Sequence, residues 1–282
     1  MTGQIDALRR FLGRNAAARP RRAVVVVGSG KGGSGASTVA ALLALVSAAE
    51  GLRVLLVDAV PDFGALHLLL GAEPGPGLGA LRGGDLEPED LLVPVADGLT
   101  LLTCASADEP GAAPGDVERR ALLRRIAGLY DAFELVVVDG GSRRDAVLAA
   151  CDAGAARLAL VCGTDRIALA ATHAIVKVAA AAAQAIPVSI LFNRAGDAEA
   201  EAAFDVLRDG VGRFLGRTVG LAGSVPDDAG FRHAIETGLT IQAAAARSAI
   251  AGAVRDLAER IAPIGSHAER AAPALVTTHG WA

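Results

Sequence analysis

Aromatic residues, cysteine and excess charge are all scarce in this chain, and each shortage removes a class of function. Phe, Trp and Tyr make up only 3% of it. Its 52% apolar content therefore rests on Ala, Val and Leu, as in a sheet covered by alanine-rich helices. The three cysteines, Cys104, Cys151 and Cys162, have neither CxxC nor metal-ligand spacing. They predict reduced core thiols in a cytoplasmic protein, not a disulfide framework. A formal net charge of −4 gives no electrostatic footprint for nonspecific nucleic-acid binding, so no nucleic-acid partner is predicted. The longest apolar runs, around Val39–Ala49 and Val178–Phe192, are short or broken by Gln184 and Pro187, and make poor membrane spans. No charged stretch leads into an apolar one near residue 1, so no signal peptide is expected. A length of 282 residues suits one large α/β domain with short extensions.

What the chain does have is concentrated between Val24 and Thr38. Val24 to Val27 read as a buried parallel strand, and a glycine-rich turn follows from Gly28 to Gly35. The apolar run from Ser37 to Leu43 then opens a helix. Strand, glycine loop and helix together aim backbone N–H groups and a helix N-terminus at one point, which attracts phosphate. A plain turn is the bland alternative, but turns rarely need so many glycines. Two phosphate loops fit. Gly28-x-Gly30-x-x-Gly33 satisfies the dinucleotide fingerprint, with Asp58 as a ribose-binding acid. Gly30 to Ser37 fits the P-loop pattern except that its lysine is Ala36.

Further strands are read at Val54–Val57, ending in Asp58, and at Leu99–Cys104, after an amphipathic piece over Leu86–Val95. Val117, Leu122, Ile126 and Leu129 predict a helix over Asp116–Tyr130. The strand Leu135–Val138 ends in Asp139, where a carboxylate beside a P-loop can hold the water shell of Mg²⁺. Later come a strand Leu158–Val161, a helix Ile167–Gln184, and a strand Pro187–Phe192 ending in Asn193-Arg194. A helix over 197–216, a strand Thr218–Val225 and a final helix Ala243–Ile261 complete the pattern. This alternation predicts an α/β fold: an open, mainly parallel sheet with helices on both faces and its ligand at the carboxyl ends of the strands.

Lys31-Gly32-Gly33-Ser34-Gly35-Ala36-Ser37-Thr38 resembles the deviant Walker A motif of MinD/ParA-type P-loop ATPases, K-G-G-x-G-K-S/T-T/N. The early lysine of that motif is present as Lys31 and the later one is replaced by Ala36. Asp58 matches the first acid of the family's first switch, while Val60 stands where a second acid polarises the attacking water. Such an acid is worth roughly 10²–10⁴ in rate; Asp62 lies two residues further on as a substitute. Asp139 matches the Walker B acid, followed here by Gly140-Gly141-Ser142-Arg143. This order of motifs demotes the dehydrogenase reading.

The resemblance implies ATP and Mg²⁺ as cofactors. Gly30, Lys31, Gly32, Gly33, Ser34, Gly35, Ala36, Ser37 and Thr38 would cradle the phosphates. Asn193, Arg194, Pro226 and Asp228 would border the adenine, Ser37, Asp58 and Asp139 would hold the metal, and Lys31, Asp58 and Asp139 would be catalytic. It also implies an ATP-sandwich homodimer in which Lys31 reaches the other subunit's phosphates. Losing the P-loop lysine removes about 1.5–3 kcal/mol of charge-assisted contact, so weak binding and little hydrolysis are expected.

Gln4, Leu8 and Arg9, Arg213-Phe214-Leu215-Gly216 and the stretch from Pro226 to Ala234 are similar to the FlhG (FleN) branch of the family. That branch implies an FlhF-like GTPase and flagellar switch components as partners. A nucleotide-independent scaffold, or a positioning protein for another cargo, is the alternative. The expected organisation is an N-terminal arm over 1–22, a MinD-like domain over 23–262 and a tail over 263–282. Recruitment to a membrane surface stays open, since no cationic apolar face stands out in the tail.

Overall fold

The valine run lies at the centre of the molecule. In a computed structural model that describes residues 23–60, 64–104, 114–182 and 186–262, β1 (Ala23–Ser29) is flanked on both sides by parallel strands, β5 (Leu135–Gly141) and β6 (Arg157–Cys162). Outward from β5 lie β2 (Val54–Asp58), β4 (Leu99–Thr103) and β3 (Val93–Ala96). Outward from β6 lie β7 (Val188–Asn193) and β8 (Gly220–Val225). All pairings are parallel except β3 with β4. The central strands are buried on both faces, which is why their sequences are unbroken apolar runs without alternation.

Helices cover both faces. On one side α1 (Ala36–Ala49) packs over the valines, joined by α2 (Leu66–Leu70), α7 (Ala229–Glu236), α8 (Ile241–Ala245) and α9 (Ile250–Ile261). On the other lie α3 (Asp116–Ile126), α4 (Arg144–Asp152), α5 (Arg166–Ala182) and α6 (Asp197–Leu215). Alanines at the contact points of α1 let its backbone approach the sheet closely, so small residues do the work aromatics do elsewhere. Both margins are modified: Pro94 sits in β3, and the Arg260 guanidinium donates to the Ala222 carbonyl of β8 at 3.0 Å.

Several expectations need correction. Leu86–Val95 resolves into a 3₁₀ turn at Pro88–Leu91 and the antiparallel edge strand β3, too short to show a period. The helix expected over Asp116–Tyr130 becomes 3₁₀ after Ile126, and Val117 is 86% exposed and outside the core. The final helix is two: the Ser248 hydroxyl accepts from Ile250 N and donates to Asp228 Oδ2, which interrupts the chain between α8 and α9. Helix α4 was missed. The expected arm, tail and Asp62 lie outside the described residues, as do Gln4, Leu8 and Arg9. Among the described residues no helix is long and apolar enough to cross a membrane.

Candidate nucleotide site at the strand ends

The glycine loop over residues 30–35 joins β1 to α1, whose N-terminus has no side-chain cap: the N-cap is Gly35, left-handed at φ 89°. The first-turn N–H groups of a helix have no partner within it, and here no side chain supplies one. No acidic residue stands in that turn to repel an anion. Gly33 is also left-handed, at φ 78°, and the Ser29 and Ser34 hydroxyls both donate to Lys31 O, at 3.0 and 2.8 Å, which closes the loop on itself. A Cβ at position 30 would run into the α5 backbone at Ala171, so this glycine is required by close approach.

The end of β7 braces the loop from outside. Asn193 Nδ2 donates to Ser34 O at 2.9 Å, and the Arg194 guanidinium donates to Gly33 O at 2.7 Å. Any side chain at position 35 would collide with the Asn193 amide. Arg194 takes a left-handed backbone, φ 59°, unique among non-glycine residues in the described structure, at a cost of roughly 1–2 kcal/mol. The resemblance implies an adenine contact for this pair; in the structure both side chains donate to P-loop carbonyls. Lys31 Nζ lies 3.5 Å from Asp165 Oδ2, with the lysine side chain 46% exposed. Asp165 also caps α5, accepting from Ile167 N and Ala168 N at 3.0 Å. The Ala168 N–H, and then the Lys31 charge, hold its carboxyl below the usual range. These groups line a cavity of about 120 Å³ with Gly32, Gly33 and Gly163. Ala36, at the missing lysine's position, is buried.

The two strand-end acids lie side by side, Asp58 of β2 in register with Asp139 of β5. Both are fully buried. Burial first, and the neighbouring Asp139 charge second, push the Asp58 carboxyl up to about 7, against N–H donors from Leu66 and Val60 at 3.2 Å. Gly64 packs directly on that carboxyl, where a side chain would not fit. Burial also raises Asp139, opposed by hydrogen bonds from the Ser37 hydroxyl and Gly141 N. The Gly141 bond, at 2.8 Å, occupies Oδ1, while Oδ2 is buried with no hydrogen-bond partner.

That orphaned acceptor, with the Ser37 hydroxyl beside the same carboxylate, suits the hydration shell of Mg²⁺, which keeps several waters and needs few protein ligands. Among the described residues no cluster of three His, Cys, Asp or Glu side chains forms a dedicated metal cage. The open α1 N-terminus likewise suits phosphate. The donor set therefore fits both implied groups.

The remaining residues divide. Val60 packs toward Gly141, its side chain 2.9 Å from where a Cβ would stand, so an apolar contact joins the ends of β2 and β5. Pro226 follows Val225, which is in register with Asn193, and it lines a cleft of about 310 Å³ with Ala195, Gly196, Leu257 and Arg260. Asp228 faces elsewhere: its carboxylate caps α7 through Phe231 N at 2.8 Å and accepts from Ser248 at 2.6 Å. The sequence reading overlooked the tie from Asp145, at the start of α4, to Arg119 of α3 at 3.1 Å and to Arg143 at 3.2 Å. Arg119 is only 1% exposed, yet an arginine on an amphipathic helix reads as a surface residue.

The model of the CobQ/CobB/MinD/ParA nucleotide binding domain matches residues 25–241. The chain is 26% identical over 240 residues to the antiactivator FleN of Pseudomonas aeruginosa, covering 84% of this chain and 85% of FleN. The cell division ATPase MinD of Pyrococcus furiosus superposes with a TM-score of 0.69 at 24% identity, over 86% of this chain and 99% of MinD. The septum site-determining protein MinD of Pyrococcus horikoshii, complexed with Mg-ADP, gives 0.68 at 23%, over 85% and 95%. With the domain model matched over most of its length and the eight-stranded sheet in place, the chain belongs to the CobQ/CobB/MinD/ParA nucleotide-binding family.

Proposed function

We propose that this chain is a nucleotide-dependent switch of the FlhG type, which binds Mg²⁺-ATP at the α1 N-terminus, pairs with a second copy and engages partner proteins, with hydrolysis weak or lost. One observation carries this reading: an uncapped helix N-terminus and an orphaned Asp139 carboxylate oxygen, linked through Ser37, form one donor and acceptor set at the strand ends. When bound, Mg²⁺-ATP supplies a polyanion for the loop amides and a hydrated cation for Asp139. Asn193 and Arg194 fix the loop's carbonyls so that its amides keep their aim. Lys31, held on Asp165 at the surface, is the cation available to reach another subunit's phosphates. Neither Ala36 nor Val60 can stabilise or activate a reacting group, which supports binding without efficient cleavage.

The similarity to the FleN antiactivator supports a role in controlling flagellar number or placement, acting through an FlhF-like GTPase and flagellar switch components. Residues 1–22 are the arm for the GTPase, ahead of a switch domain spanning 23–262. The exposed face of α6, with Phe214 at 71% exposure, offers an anchor for a further protein. A thermal-shift titration with Mg-ATP tests the nucleotide step. A saturable rise in melting temperature is expected, and no shift at millimolar ligand would instead identify a nucleotide-independent scaffold. Pulldown of the GTPase with residues 1–22 deleted tests the arm, and retention of full binding removes it from the proposal.

A further inference from the structure

The segment between Asp139 and α4, Gly140 to Arg143, ends in an arginine, and a second, Arg144, opens the helix. The Ser142 hydroxyl lies 3.8 Å from where a Cβ on Gly32 would stand, so this segment touches the P-loop. Arg143 is the next residue, its Cα about 3.8 Å along the chain, with its side chain 47% exposed. In the structure its guanidinium rests on Asp145, with nitrogen–oxygen distances of 3.2 and 3.5 Å. Asp145 has a second cation, Arg119, which is buried and also paired with Asp116. Asp145 thus keeps a guanidinium whether Arg143 stays or leaves, and the departure of Arg143 strands no buried charge. Of the two, only the exposed one adjoins the loop.

We propose that Arg143 is the chain's replacement for the absent P-loop lysine: it moves from Asp145 to the outermost phosphate of a nucleoside triphosphate and restores in cis the charge that Ala36 does not supply. The inference rests on the nucleotide reading above and adds what that reading lacks, a means of telling triphosphate from diphosphate. A guanidinium suits this task because its planar fork meets a phosphate through two hydrogen bonds and stays charged at every physiological pH. Gly140 and Gly141, the latter left-handed at φ 61°, end β5, and Ser142 and Arg143 beyond them are exposed, so the arginine side chain can swing without moving buried backbone. A diphosphate ends before the position Arg143 would reach. Its affinity should not depend on this residue.

The test is titration of the full chain with Mg-ADP and with a non-hydrolysable Mg-ATP analogue, followed by calorimetry or a fluorescent nucleotide. Arg143→Ala should weaken the triphosphate analogue by about tenfold to a hundredfold, the equivalent of one charge-assisted contact, and leave Mg-ADP within about twofold. Adding Ala36→Lys to that variant should recover the lost triphosphate affinity, because both cations serve one phosphate. Arg144→Ala, the adjacent cation, should change neither nucleotide. Unaltered melting of the ligand-free variant shows that the fold is kept, which the exposure of Arg143 leads one to expect. The proposal falls if Arg143→Ala weakens both nucleotides equally, if it weakens neither while the parent chain binds both, or if Arg144→Ala reproduces its effect. A parent chain that binds neither nucleotide overturns the nucleotide reading itself, a result distinct from these three.

Discussion

The two flanks of the P-loop are built differently. On the β7 side the grip is complete: Asn193 and Arg194 are both engaged with loop carbonyls, and glycine stands at positions 30 and 35, where a side chain would collide. On the β2–β5 side two buried carboxylates, Asp58 and Asp139, lie side by side. Val60 lies against Gly141, Asp139 keeps one oxygen without a donor, and Arg143 sits on an aspartate. Holding a polyanion depends largely on backbone amides, which substitutions leave in place, whereas cleaving it depends on individual side chains. One function can therefore outlast the other in the same fold.

Restoring the depleted flank gives the largest expected effect. Ala36→Lys with Val60→Asp should raise the ATP hydrolysis rate by roughly 10²–10⁴, measured as phosphate release; a change below threefold would mean that the flank lacks more than these two groups. Next is the pH response of the ligand-free protein. The Asp58 carboxyl is raised from 3.8 to about 7, so the folded state binds a proton that the unfolded chain has released. Stability is then fully present below 3.8 and is lost as pH climbs to about 7, by on the order of 2–4 kcal/mol. Asp58→Asn should flatten this slope in urea melts between pH 4 and pH 8, and an unchanged slope would assign it to another group. On the intact flank, Gly30→Ala should cost about 1–3 kcal/mol by overpacking against α5, read from the denaturation midpoint. An unshifted midpoint would show that the loop and helix separate easily. Smallest is Asn193→Ala, expected to cost about 1 kcal/mol and to speed amide exchange at Gly33 and Ser34; unaltered exchange there would deny it a bracing role.

What the sequence revealed tracks how local each signal was. Val24–Val27, the glycine loop and the acids at Asp58 and Asp139 were legible because each is a short contiguous pattern whose meaning its neighbours fix. The attachment of Asn193 and Arg194 to the P-loop was not, since it joins residues about 160 positions apart and depends on β6 lying between β1 and β7. Asp228 is the converse case. The resemblance places its loop beside the base, and in the structure its carboxylate caps α7 and accepts from Ser248, contacts that the motif alone does not announce. Ser248 explains why one continuous periodicity over Ala243–Ile261 became two helices, because a hydroxyl that bonds the backbone competes with the helical ladder. Arg119 gave no signal either, as its burial is created by α4 closing over α3 and by the carboxylates of Asp116 and Asp145.

The blunted margins of the sheet bear on how copies of the chain can meet. An exposed border strand is a template for zipping on another backbone, but here β3 carries a proline that cannot donate, and Arg260 occupies the Ala222 carbonyl on β8. Growth by strand addition is discouraged at both borders. Contact between two copies, as proposed above, would then fall to helix surfaces and strand tips.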